Sequence, residues 1–126
     1  MKAYLLREQP FTAGEAIFIE CPSPENDFKV VFEDDTDTGY FYALEGEKIV
    51  DALHIYNLEE AENGVLKIIW SRDWKRCALL INNACHAIFD FENQGGYCAS
   101  EFPPPNEIWT KGERTLTDEM FFDLFE

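Results

Sequence analysis

Short runs of alternating or continuous apolar residues, broken by polar turns, dominate the chain. Ala16 to Glu20 is a first strand-like run, closed by Cys21-Pro22-Ser23-Pro24. Phe28 to Glu33 alternates strictly, which puts Phe28, Val30 and Phe32 on one face of a strand. The polar run Asp34 to Gly39 turns the chain into Tyr40 to Leu44, rich in aromatics that favour strands. Glu45-Gly46 turns again into Lys48 to Tyr56. After an acidic stretch ending at Gly64 come Val65 to Ser71, the loop Arg72 to Lys75, then Arg76 to Ile81 and Cys85 to Glu92. Asparagine tolerates positive φ, so Asn82-Asn83 predicts a tight hairpin. Gln94-Gly95-Gly96 turns into Tyr97 to Ser100.

The C-terminal part follows another rule. Phe102-Pro103-Pro104-Pro105 lacks ladder donors and predicts polyproline II. Thr117 can cap a short helix through Phe125, with Asp118 and Glu119 suiting its first turn. Leu116, Met120, Phe121 and Leu124 form an apolar stripe that can dock on a sheet. Phe122 and Phe125 lie off that stripe and are candidates for contact with a second subunit or a partner. The expected fold is mostly β (a β-rich α+β arrangement). It is an antiparallel meander of about seven strands, a sandwich or partly closed barrel, with a short C-terminal helix.

The 126 residues fit a single domain, 1–126. With 46% hydrophobic and 15% aromatic residues the chain can fill a core, which excludes disorder. The formal net charge of −15 repels phosphate backbones and anionic lipid, so neither nucleic acid nor a membrane surface is an expected partner. The same charge would steer a basic protein. The N-terminal apolar stretch is too short for a signal peptide, and no run reaches the length of a membrane span. Cytoplasmic residence is the expectation. Cys21, Cys77, Cys85 and Cys98 contain no C-x-x-C pair and read as buried, reduced thiols.

Candidate chemistry is sparse. His86 and Asp90 share a strand face but stand about 13 Å apart at strand rise. His54 and Asp51, three apart, point to opposite faces of a regular strand. Asp35-x-Asp37-x-Gly39 matches only part of a calcium loop and lacks its distal glutamate. Cys85 and His86 diverge on a strand. No nucleophile elbow, phosphate loop or zinc-protease helix is present. No cofactor or metal is expected, and the reading leans away from an enzyme.

One local feature runs against the charge. Arg72-Asp73-Trp74-Lys75-Arg76 with Lys67 holds four of the ten basic residues. An exposed Trp74 among Arg72, Lys75 and Arg76 would make a partner hot spot. The plainer alternative is a hairpin loop whose bases neutralise neighbouring carboxylates.

Several segments carry a family resemblance: Val31 to Asp35, Thr38 to Ala43, Asp51 to Asn57, Ala78 to Asn82, His86 to Phe91, Gly96-Tyr97-Cys98 and Phe102-Pro103-Pro104. Together they resemble a bacterial family of small acidic proteins defined only as domain of unknown function 2251. The resemblance implies a bacterial cytosolic protein and brings no assigned catalytic residues. The leading expectation is therefore a small acidic protein-binding module, of the immunity or inhibitor type, for a basic partner. Its electrostatic face would comprise Asp34, Asp35, Asp37, Glu59, Glu60 and Glu62. A rival expectation is a ligand-binding or enzymatic pocket. Tyr40, Tyr42, Tyr56 and Trp70 would line it, with His54, Asp51, His86 and Asp90 converging in it. A third is a structural protein that oligomerises through the C-terminal helix.

Overall fold

The computed structural model describes residues 3–60, 63–105, 109–110 and 112–125. Among these, nine strands form two antiparallel sheets. The strands are β1 (Ala3–Phe11), β2 (Ile17–Pro22), β3 (Phe28–Asp34), β4 (Thr38–Glu45), β5 (Lys48–Asn57), β6 (Gly64–Ser71), β7 (Arg76–Ile81), β8 (Ala84–Asp90) and β9 (Gly95–Cys98). A short turn of 3-10 helix, Leu58–Glu60, follows β5, and helix α1 spans Asp118–Phe125. One sheet has the order β2-β3-β4-β5 and the other β1-β6-β7-β8-β9. The chain is thus a sandwich, and the sheets do not close into a barrel.

The interior alternates as the pattern demands. Val30 and Phe32 of β3 and Phe41 and Ala43 of β4 face Leu66, Ile68 and Trp70 of β6 and Cys77, Leu79 and Ile81 of β7. Phe41 and Phe89 stack at 5.2 Å and Trp70 and Phe91 at 5.7 Å. The five-stranded sheet is apolar on its other face too. Ile69, Ala78, Leu80 and Ile88 form a second cluster there, with Phe125 of α1 buried against them and Leu116, Met120, Phe121 and Leu124 around it. This double burial explains why β7 reads as a continuous apolar run. The layers are therefore four-stranded sheet, five-stranded sheet and helix.

Local chemistry sets the connections. Asn82 and Asn83 take φ of 51° and 66°, the geometry of a type I′ hairpin turn. The Thr117 hydroxyl accepts the Met120 N–H at 3.1 Å and caps α1. After β9 the chain runs beside the β5 edge: His54 N–H donates to the Phe102 carbonyl at 2.8 Å, and the Ser100 hydroxyl donates to the His54 carbonyl at 2.8 Å.

Two details depart from the sequence pattern. β1 has no clean alternation, because its register against β6 shifts between Leu5 and Arg7, and Pro10 is tolerated only because β1 is an edge strand. Phe125, placed off the helix stripe, is 1% exposed, because Phe121 stacks on it at 5.3 Å and carries it onto the sheet. Phe122 alone of that pair projects into solvent, at 59% exposure.

Candidate functional site

The acidic loop divides into a structural and an exposed part. Asp34, expected on a solvated face, is 1% exposed. Its Oδ2 accepts the Tyr56 hydroxyl at 2.6 Å and the Gly14 N–H at 2.8 Å, and its Oδ1 accepts the Thr36 N–H. A carboxylate with three donors pins the β2 approach, the β3–β4 turn and β5 together. Asp35 and Asp37 are exposed. The Thr38 and Asp37 N–H groups donate to Asp35 and hold its carboxyl below the usual range. Glu59 is exposed, whereas Glu62 and the Glu60 side chain lie outside the described residues.

The basic hairpin is mostly internal electrostatics. Arg76 reaches Asp73 at 2.9 Å, Asp90 at 3.3 Å and Glu92 at 2.9 Å, and Lys75 reaches Glu92 at 3.6 Å. Lys67 pairs with Glu8 at 3.7 Å. Trp74, expected to project freely, is half-buried, with its ring stacked on Tyr4 at 4.8 Å. Arg72 remains exposed. The loop neutralises carboxylates more than it offers cations.

The histidine and carboxylate candidates do not converge. Asp51 is buried in a two-point pair with Arg114, Oδ1 to Nη2 at 2.7 Å and Oδ2 to Nη1 at 2.8 Å, and also accepts the Thr110 hydroxyl at 2.7 Å. Asp90 holds the following turn, accepting from Glu92 and Asn93. His86 is half-buried on β8. Tyr56 and Trp70, expected along a pocket wall, are core residues. His54 meets a hollow of about 460 Å³, lined by Thr38, Tyr40, His54, Asn57, Ser100 and Phe102, while Asp90 borders a separate one of about 380 Å³ with Tyr97 and residues of α1. The His54 Nε2 lies 3.0 Å from Asn57 Oδ1, and its buried Nδ1 has no hydrogen-bond partner among the described residues. Among the described residues no carboxylate borders the His54 hollow, so they offer no acid–base pair there. Among the described residues no cluster of His, Cys, Asp or Glu could hold a metal ion.

The hollow opens onto a larger feature that single-strand reading missed. Strand register aligns three rows on the outer face of the four-stranded sheet. These are Phe18, Glu33, Tyr40 and His54; Glu20, Val31, Tyr42 and Ala52; and Pro22, Lys29, Leu44 and Ile49. No described element covers this face, whereas α1 covers the matching face of the other sheet. Phe18 is 61% exposed and Ile49 57%, at opposite corners, and Phe102 beside the hollow is 51% exposed. Tyr40 and Tyr42 have near-parallel rings 5.9 Å apart, Tyr40 packs edge-on to His54 at 5.5 Å, and His54 meets Phe102 at 6.0 Å. The Tyr42 hydroxyl donates to Glu33 at 3.5 Å. Burial, and then the nearby Glu33 charge, push that hydroxyl above the ordinary phenol range. Lys29 bridges Glu20 at 3.1 Å and Glu47 at 3.6 Å across the far row. The result is an aromatic strip edged by carboxylates. Its signal in the sequence is the i, i+2 pair Tyr40 and Tyr42, but only register joins it to Phe18, Glu33 and His54.

Comparison with known proteins places the chain. It is 42% identical over 98 residues to an uncharacterized protein of Haemophilus influenzae strain Rd, a match covering 70% of this chain and 61% of that protein. The match therefore spans less than two thirds of that relative's length. No solved structure matches significantly. Residues 11–125, from the end of β1 to the end of α1, match the profile of the bacterial family DUF2251. The chain belongs to that family, described as uncharacterized proteins conserved in bacteria.

Proposed function

We propose that this protein is a binding module that receives a basic protein partner on the outer face of its four-stranded sheet. The observation that carries this reading is the uncovered strip Phe18, Tyr40, Tyr42, His54 and Phe102, edged by Glu20 and Glu33. Two of these aromatics, Phe18 and Phe102, are exposed and three are half-buried; aromatics gathered on one accessible face are the usual anchors of an interface, and tyrosine is prominent among its hot spots. The net charge of −15 supplies the complementary field for a basic partner and speeds their encounter. An immunity- or inhibitor-type protein that occludes a basic enzyme would work in this way. The encounter is proposed for the cytoplasm, where the four free cysteines would stay reduced.

The rival readings have less support. The hollow beside His54 suits a small neutral ligand through Thr38, Asn57 and Ser100, but it lacks converging catalytic groups. Helix α1 turns its apolar residues onto its own sheet and exposes only Phe122, a small surface for self-association.

The test compares tagged wild-type protein with a Phe18→Ser, Phe102→Ser double variant in extracts of the encoding bacterium at low and high salt. Both side chains are exposed, so the fold should survive. The wild type should retain a basic protein at low salt and release it as salt screens the field. The variant should not retain it. Equal retention by both proteins would refute the reading.

A further inference from the structure

Building on that docking face, we infer that Tyr40, Tyr42 and Glu33 form a seat for an arginine side chain of the partner, the guanidinium lying along the tyrosine rings and donating to the Glu33 carboxylate. If the docking face itself is wrong, this seat has no partner to serve.

The electrostatics of the face are uneven. At one end Lys29 already neutralises Glu20 and Glu47. At the other, no described lysine or arginine pairs with Glu33, Asp35 or Asp37. The Tyr42 hydroxyl donates to Glu33, and the charges of Glu33 and Asp35 both act on it. Negative potential thus collects where two ring systems lie 5.9 Å apart and near-parallel. A cation beside an aromatic face and a carboxylate gains from both.

The geometry favours arginine over lysine. Guanidinium is planar, stacks on aromatic rings, sheds water readily and carries a fork of donors that matches a carboxylate. An ammonium is a compact, strongly hydrated point charge. Tyr40, Tyr42 and Glu33 are each half-buried; Phe18 and His54 flank the row of Glu33 and Tyr40, and Tyr42 stands in the next row beside them. Those neighbours restrict the rotamers of the seat before binding and would exclude water around it afterwards.

The experiment is an NMR titration of the full chain with three short peptides of equal length, bearing arginine, lysine or the neutral isostere citrulline. The arginine peptide should shift the resonances of Glu33, Tyr40 and Tyr42 and bind about threefold or more tighter than the lysine peptide, with citrulline silent. Glu33→Gln should weaken the arginine peptide about three- to tenfold. Tyr42→Phe, which keeps the ring, should weaken it less than Tyr42→Leu. Equal binding of arginine and lysine, shifts scattered over all the acidic loops, or no effect of Glu33→Gln would overturn the seat. A native partner lost by the Phe18→Ser, Phe102→Ser protein but held normally by Glu33→Gln would refute the arginine seat alone. Its retention by both would refute the docking face.

Discussion

Arg114→Met should be the most damaging single change away from the apolar core. Arg114 is 2% exposed and Asp51 5%. Beyond the two bonds to Asp51, the guanidinium donates to the Gly96 carbonyl at 3.1 Å and, through Nε, to the Pro103 carbonyl. One side chain thereby ties β5, β9 and the segment after β9, while the Arg114 carbonyl accepts the Cys98 N–H at 3.1 Å. Methionine fills a similar volume but leaves Asp51 charged and buried, with the Thr110 hydroxyl and the Ala52 N–H as donors. Removing one partner of a buried pair costs about 3–5 kcal/mol. Against a total of about 5–15 kcal/mol for a domain, that is a large share. At about 3–5 °C per kcal/mol for a chain of this size, the melting midpoint should fall by about 9–25 °C.

Urea and thermal unfolding followed by fluorescence of the buried Trp70 and Trp109 would measure the loss. The companion variant Asp51→Leu, Arg114→Met removes both charges and should be more stable than Arg114→Met alone, by about 2 kcal/mol if the penalty is the stranded carboxylate. A cost under about 1 kcal/mol for Arg114→Met, or strictly additive single changes, would refute the reasoning.

Other expectations follow from the same contacts. Tyr56→Phe removes the 2.6 Å bond to buried Asp34 and should cost about 1.5–3 kcal/mol by urea unfolding, the range for hydrogen bonds to charged groups. Gly96→Ala should cost about 1–3 kcal/mol in the same assay, because a Cβ there would stand 2.5 Å from Asp51 Oδ2 and 2.9 Å from the Phe89 ring. Burial raises the Cys85 thiol to about 12 and Cys77 well above its ordinary value of 9.0, and it raises the Tyr56 phenol. The fold keeps protons that the unfolded chain releases, so this stability is complete below about pH 9 and should be lost as pH rises through about 12 in a pH series of urea midpoints. For the same reason a thiol reagent at mildly alkaline pH should modify Cys77 and Cys85 only after denaturation.

Strand positions were legible where period and turn chemistry agreed. Phe28 to Glu33 alternates and became β3, and Asn82-Asn83 turned β7 into β8 as asparagine chemistry requires. The cap at Thr117 and the stripe of α1 also follow from spacing. β1 was hidden because a bulge breaks its alternation and an edge strand needs no buried face. The site was less legible than the fold. Asp34 is indistinguishable in sequence from Asp35, yet one is core and the other solvated; the difference is made by Tyr56 and Gly14, 22 and 20 residues away. The expected histidine pocket failed for a similar reason. The rival expectation had Asp51 converge with His54, His86 and Asp90, whereas its partner Arg114 lies 63 residues on and beyond the reach of any local pattern. Phe18, Glu33, Tyr40 and His54 line up only once three strand registers are known.

The two outer faces of the sandwich carry different chemistry, and the difference bears on function. The outer face of the five-stranded sheet has an aliphatic centre, Ile69, Ala78, Leu80 and Ile88, with Lys67, Arg76, Asp90 and Tyr97 towards its margins. That aliphatic centre has no polar group to keep water, so it must be covered permanently, and α1 covers it. The outer face of the four-stranded sheet mixes Tyr40, Tyr42 and His54 with Glu20, Glu33 and Lys29. Each of its aromatics but Phe18 and Phe102 carries a polar group that water can satisfy, and the apolar residues central to it, Val31 and Leu44, are 4% and 7% exposed beneath their neighbours. That face can stay wet without driving aggregation and can still bury large rings when a partner arrives. A surface built to be covered always would resemble the first face. One built to be covered reversibly would resemble the second, which is why docking is proposed for it and not for the helix side.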